Sequence, residues 1–210
     1  MLLDDPAELA RRAALLDAAH VRALEPVRAA LLATGGRVPF FDPLDGGAGA
    51  RLLLLLETPG PGPGGGPGRA REEHRFVSRD NRTPTGRNLR RFLGEAGIAR
   101  EETVIWNVVP WIVHAPGARN RAVRRAEVAE GLRRLPDLLA RLPRLKVALL
   151  AGRSAEAARP VLRAERPGVA VLAMPHPSPT IVCTSPAVAQ RIGAALARAA
   201  ELLGGAAGPC

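Results

Sequence analysis

In four places this chain sets a polar side chain capable of chemistry directly after an apolar run, or at its exit. Glu57 and Thr58 follow five consecutive leucines, Leu52 to Leu56. Asn107 is the one fully polar residue near the exit of the Thr103–Val109 segment, and Ser154 comes just after Leu145 to Ala151. His176 follows Val169 to Ala173 within Met174-Pro175-His176-Pro177-Ser178-Pro179. A carboxylate orients water, and a carboxamide reads a planar ligand through one donor and one acceptor. An imidazole donates to charge that develops on a reacting group. Pro175 and Pro177 keep His176 out of any helix or ladder, so its side chain has a defined direction. Each reading has a plain alternative: His176 can be a packing residue, and Glu57 can simply brace a proline-rich connection.

The positions of these residues depend on the elements that carry them. An unalternated leucine run predicts a strand covered on both faces, the usual state of a central parallel strand. Three further strand-like runs, the β-branched 103–109 and then 145–151 and 169–173, alternate with helical patterns. That order predicts a three-layer α/β/α fold around a four-stranded, mainly parallel sheet. Open sheets of this kind bind ligands outside the carboxyl ends of their strands. The four polar groups therefore converge on one edge. Gly152-Arg153-Ser154, opening a helix after the third strand, is a common anion-binding arrangement.

Other signals set the boundaries. Asp5-Pro6-Ala7-Glu8 opens a helix with a capping carboxylate and proline in the first turn. Leu9, Ala13, Leu16 and His20 are expected on one face of it. A second helical stretch runs to about Ala33 and ends at Gly35-Gly36, and 38–49 reads as loop. Residues 59–68 are all glycine or proline, a surface connection that can lie close to a ligand backbone. Arginines surround Phe76 before Thr83-Pro84 caps the next helix, and an arginine-studded helix is predicted over 120–142. We divide the chain into a helical N-terminal extension (1–50) packed on the same domain, an α/β domain (51–203) and a disordered tail (204–210).

The net charge is +10, with 30 basic residues against 20 acidic. Such a surplus favours a polyanionic partner such as nucleic acid; the alternative is a solvated basic surface. Two cysteines, Cys183 and Cys210, build neither a disulfide framework nor a four-thiolate metal site. No apolar run is long enough to span a membrane and no signal peptide is visible, so a soluble cytoplasmic protein is expected.

Five stretches, taken in order, resemble the uracil-DNA glycosylase superfamily. His176-Pro177-Ser178-Pro179 looks like its HPSP signature, and Leu56-Glu57-Thr58-Pro59-Gly60 resembles the first motif of its iron–sulfur branch. Arg75-Phe76-Val77 with Ala96-Gly97-Ile98 is similar to the segment bearing a base-stacking phenylalanine. Trp106-Asn107-Val108-Val109 resembles the strand ending in a base-reading asparagine, and Leu150 to Ala155 the phosphate-contacting turn. The resemblance covers about residues 51 to 200. It implies that His176 donates to the uracil O2 as negative charge develops there, that Asn107 reads O4 and N3–H, and that Phe76 stacks on the flipped base. It further implies phosphate contacts from Pro59 to Pro63 (Pro59 and Pro61 foremost), Gly152, Arg153, Ser154 and Ser178, with Ile181 or Val182 as a wedge in the duplex. Trp106 and Trp111 are read as packing around the pocket floor. Arginines 119, 121, 124 and 125 either extend the basic footprint or form a solvated helix face.

The departures are informative. The best-known members carry an aspartate or asparagine where this chain has Thr58, so water activation falls to Glu57, Thr58 or both. Gly60 stands where the uracil-only branch has a tyrosine that blocks a 5-methyl group. The cluster cysteines of the iron–sulfur branch are missing, so no cofactor and no metal are expected. The one lysine, Lys146, begins a buried strand, and no amine nucleophile is available. The expectation is a monomeric, monofunctional DNA glycosylase for uracil or a related base, with DNA as partner. The alternatives are a relative that binds damaged or single-stranded DNA without cutting, or a protein for a phosphorylated small molecule.

Overall fold

The computed structural model describes residues 2–60, 75–115, 118 and 121–204. The chain begins with three short helices, α1 (Pro6–Ala13), α2 (Ala19–Arg22) and α3 (Glu25–Leu32). Next come β1 (Phe40–Phe41), β2 (Leu52–Leu56), β3 (Phe76–Val77) and α4 (Pro84–Glu95). The remainder alternates: β4 (Thr103–Asn107), α5 (Arg125–Leu139), β5 (Val147–Ala151), α6 (Arg153–Glu156), α7 (Arg159–Glu165), β6 (Ala170–Met174), α8 (Pro179–Val182) and α9 (Pro186–Leu203). The segment expected as loop contains β1, because Phe40 and Phe41 pair in parallel with Phe76 and Val77. The long helix starts at Arg125, later than expected, because Glu127 accepts a hydrogen bond from the Arg124 backbone N–H (2.7 Å) and fixes the first turn there.

The main sheet has the order β4-β2-β5-β6, and every pairing is parallel. All residues of β2, β4 and β5 are buried, which is why their sequences do not alternate. Edge strand β6 is less covered and shows a mixed pattern. The chain steps one way from β2 through α4 to β4, then back across β2 through α5 to β5 and on through α7 to β6. Right-handed crossovers put these two sets of helices on opposite faces. Accordingly α4 packs with α9 and α5 with α7. Gly131 of α5 sits so close to Val108 that an added Cβ would lie 1.8 Å from its carbonyl oxygen. No helix among the described residues is long and apolar enough to cross a membrane.

The first helix corrects one expectation. Its most buried residues are Glu8 and Arg12, whereas Leu9 and Ala13 are only half-buried. Arg12 donates to Glu8 (2.7 Å), Asp42 (2.5 Å) and Asp80 (2.6 Å). Arg100 closes the cluster with Asp42 at 2.6 Å, Asp80 at 2.5 Å and Asp45 at 3.0 Å. Ser78 also donates to Asp42. With Arg79, and with Arg11 also on Glu8, four guanidiniums face four carboxylates, and Asp45 is the least well compensated: burial and the neighbouring Asp42 push its carboxyl up to about 7. The apolar periodicity of the N-terminus missed this because the side chains that fix the helix are charged.

Truncating one partner of such a cluster leaves buried charge uncompensated. Arg12→Met should cost ~3–5 kcal/mol, lowering Tm by roughly 6–20 °C in a thermal melt. The guanidiniums of Arg11 and Arg12 hold the Glu8 carboxyl down at about 2, below its ordinary 4.5. A depressed carboxylate stabilises fully above the ordinary value and loses that contribution as pH falls. The stability gap between wild type and Glu8→Gln should therefore narrow between pH 5 and pH 2, as read by denaturant titration at each pH.

Candidate functional site

Parallel pairing brings the strand ends level. Leu56 lies opposite Asn107, Leu55 opposite Leu150, and Ala151 opposite Met174. The residues that follow open onto one cleft of about 860 Å³ at the carboxyl edge of the sheet. Glu57, Thr58, Phe76, Asn107 and His176 all line it, as do Pro59, Gly60, Gly152, Arg153, Ser178 and Ile181. Pro61 and Arg119 fall outside the described residues, and so does most of the glycine–proline connection. Ser154 stands beside the cleft and reaches it only through Glu57.

Each side chain has a defined setting. Asn107 closes β4, is 3 % exposed, and its Nδ2 makes no hydrogen bond with a described protein group. An unpaired buried amide costs ~1–3 kcal/mol, so this donor is held ready for a ligand. His176 Nδ1 accepts from the Ser178 backbone N–H at 3.1 Å. That bond puts the ring proton of the neutral imidazole on Nε2. Burial lowers the His176 pKa below 6.5, and nearby Glu57 opposes the shift only in part. At neutral pH the ring is thus an uncharged donor.

Glu57 accepts a 2.6 Å hydrogen bond from Ser154 Oγ, while its backbone carbonyl accepts from Val109. The Thr58 hydroxyl donates to the Trp111 carbonyl at 3.2 Å, so its proton is already committed. Phe76 is 1 % exposed, 6.1 Å from Phe40 between ring centroids, and it also forms cleft wall. It is core and pocket at once. Neither tryptophan lines the cleft, contrary to the expectation of a pocket floor. Trp106 stacks on Phe41 at 3.8 Å and faces a small void between α3 and α5.

The turn after β5 departs from its sequence reading. Helix α6 is only four residues long, too short for a helix dipole to hold an anion. What the turn does supply is geometry. Gly152 has φ 87° and ψ 169°, a region open essentially to glycine alone, and a Cβ there would lie 3.0 Å from the His176 Cβ. Ile181 is 40 % exposed, one of two large apolar side chains so exposed among the described residues.

A scan against family models matches residues 45–197 to the uracil DNA glycosylase superfamily. The chain belongs to that superfamily. A comparison with curated proteins found no match. The family acts on DNA and consists broadly of DNA glycosylases, which agrees with the four-stranded parallel sheet and its flanking helices. In this superfamily member the donor set does not fit an iron–sulfur cluster. Cys183 is exposed on the turn after α8, and no group of three His, Cys, Asp or Glu among the described residues is placed to hold a metal.

Sequence reasoning missed two contributors to the superfamily site. Asn88 of α4 donates to the Pro177 carbonyl at 2.8 Å and so pins the His176 loop. Only a long-range contact reveals it. Arg191 of α9 lines the cleft with Arg153, and neither has a carboxylate partner among the described residues. Their helical faces look like any solvated arginine face.

Gly152→Ala should destabilise by ~1–3 kcal/mol in denaturant melts and shift the His176 ring resonances. In an NMR titration the wild-type His176 ring should show a midpoint below 6.5, the ordinary value for histidine.

Proposed function

We propose that this superfamily member is a monofunctional DNA glycosylase that hydrolyses the N-glycosidic bond of uracil or a related deaminated or modified base. The observation that carries the reading is the buried, unpaired Asn107 amide in the same cleft as a neutral, Nε2-protonated His176. The flipped base enters against Phe76, and base–aromatic stacking contributes ~1–3 kcal/mol. Asn107 pairs with O4 and N3–H of uracil and mismatches cytosine, whose edge carries the opposite pattern.

As the C1′–N1 bond breaks, its electron pair moves onto the base and negative charge spreads to O2. Nε2–H of His176 donates to that oxygen. One donor of this kind is worth ~3–4 kcal/mol in the transition state. Water attacks C1′ from the side of Glu57, whose free carboxylate oxygen orients it and takes up its proton. Thr58 is the weaker partner in this step, because its hydroxyl proton is held by Trp111. Pro59, Gly152, Arg153 and Ser178, which line the same cleft, contact the phosphates of the strand in this reading, and exposed Ile181 fills the gap left by the flipped base.

An added Cβ at Gly60 would meet open space. Nothing at that position closes the cleft against a 5-substituent, which supports acceptance of bases larger than uracil. The second reading is a relative that binds damaged or single-stranded DNA without excision. It is favoured by one observation, the absence of a carboxylate at Thr58.

Oligonucleotides carrying uracil, hypoxanthine, mismatched thymine or hydroxymethyluracil decide between the two. An alkali-labile site on at least one of them is expected. DNA binding with no such site on any would establish the binder. Asn107→Asp and His176→Ala should each lower single-turnover excision about 10²-fold or more, and near-wild-type rates in both would remove the site assignment.

A further inference from the structure

Glu57 and Ser154 leave neighbouring strands whose exits diverge. The chain after β2 goes to the α4 face and the chain after β5 to the α7 face, which opens a crevice between them. Across that crevice Ser154 Oγ donates to Glu57 Oε2 at 2.6 Å, the length of a charge-assisted hydrogen bond. Gly152 makes the contact possible. Its positive φ turns the chain sharply, so that Ser154, two residues on, faces back over β2.

A serine hydroxyl has one proton. Spent on Glu57, it leaves Oγ with lone pairs only, backed by a carboxylate. A phosphate oxygen arriving there would meet like charge and no donor. The phosphate contact expected at Ser154 is a backbone one, and the hydroxyl is committed to Glu57 while the pair is intact. Arg153, exposed at the same turn and without a carboxylate partner among the described residues, suits the phosphate instead.

We propose that Ser154 is a positioning residue. It locks one oxygen of Glu57 so that the other, Oε1, is presented to the cleft to orient the attacking water. The Oε1 atom makes no hydrogen bond with the described residues, and Glu57 lines the cleft. Without the lock the carboxylate is free to rotate about its own side-chain torsions, and the water loses its fixed direction. The assignment rests on the glycosylase reading for its role in catalysis. The hydrogen bond itself does not.

The test uses the full chain with Ser154→Ala and Ser154→Thr. One arm measures single-turnover excision from a uracil-containing oligonucleotide and affinity for the same oligonucleotide bearing a tetrahydrofuran abasic analogue. Ser154→Ala should lower the saturating rate by roughly 10-fold with affinity changed less than about 2-fold, and Ser154→Thr should restore the rate. The other arm follows the Glu57 side-chain carboxyl ¹³C resonance in the free protein at fixed pH. It should move in Ser154→Ala and return in Ser154→Thr.

An unchanged saturating rate in Ser154→Ala, with weaker binding and an unaltered salt slope, would make Ser154 a neutral phosphate contact and overturn the proposal. So would a Glu57 resonance that does not move. A wild-type protein that excises no base would defeat the glycosylase reading and the water-orienting role together. The carboxyl resonance would still decide whether the two side chains are paired.

Discussion

The register of four parallel strands is the constraint on which the site depends. Parallel pairing makes the strands end on the same edge, and the pairing of Leu56 with Asn107 and of Ala151 with Met174 makes them end at nearly the same level. Within the sheet the central strands are buried on both faces, where an unpaired polar side chain is costly. Polar chemistry is therefore confined to the exits. Asn107 illustrates the boundary: it is the last residue of β4, still buried, and its amide is left unpaired.

The second support is electrostatic and lies behind the cleft wall. Phe76, Val77 and Ser78 line the cleft, and Ser78 also donates into the carboxylate–guanidinium cluster formed by Arg12, Asp42, Asp80 and Arg100. The two strands of the small sheet pair only over Phe40–Phe41 and Phe76–Val77, too short a ladder to be rigid alone. The ionic cluster ties that ladder to α1 and to the approach to β4. Such clusters add little net stability over an apolar core of equal volume, but they specify one arrangement, because a displaced member leaves its partners uncompensated. The N-terminal helix thus fixes the pocket wall from outside the sheet.

Within the cleft the same economy recurs. Most polar side chains that could move are held by one contact: His176 by the Ser178 N–H, Thr58 by the Trp111 carbonyl, Glu57 by Ser154, and the His176 loop by Asn88. Exceptions include the Asn107 amide and the second carboxylate oxygen of Glu57. Both belong to residues that line the volume a planar base and a water molecule would fill.

By itself the sequence determined the four strands of the main sheet, their parallel arrangement and the identity of the residues at their ends, but not the short β1–β3 pair. Unbroken apolar runs, proline pairs and capping residues are local signals, and each acts within a few positions of the chain. It did not determine what those residues touch. The Ser154–Glu57 bond joins residues 97 apart, and Asn88 reaches Pro177 across 89. Neither spacing has any periodicity to read. The burial of Arg12 is the same case, since a charged residue on a helix looks solvated until Asp42 and Asp80 arrive from distant segments to join Glu8. Local pattern fixes which residues stand at an edge; which proton each of them gives, and to whom, is settled only when separate strands are brought side by side.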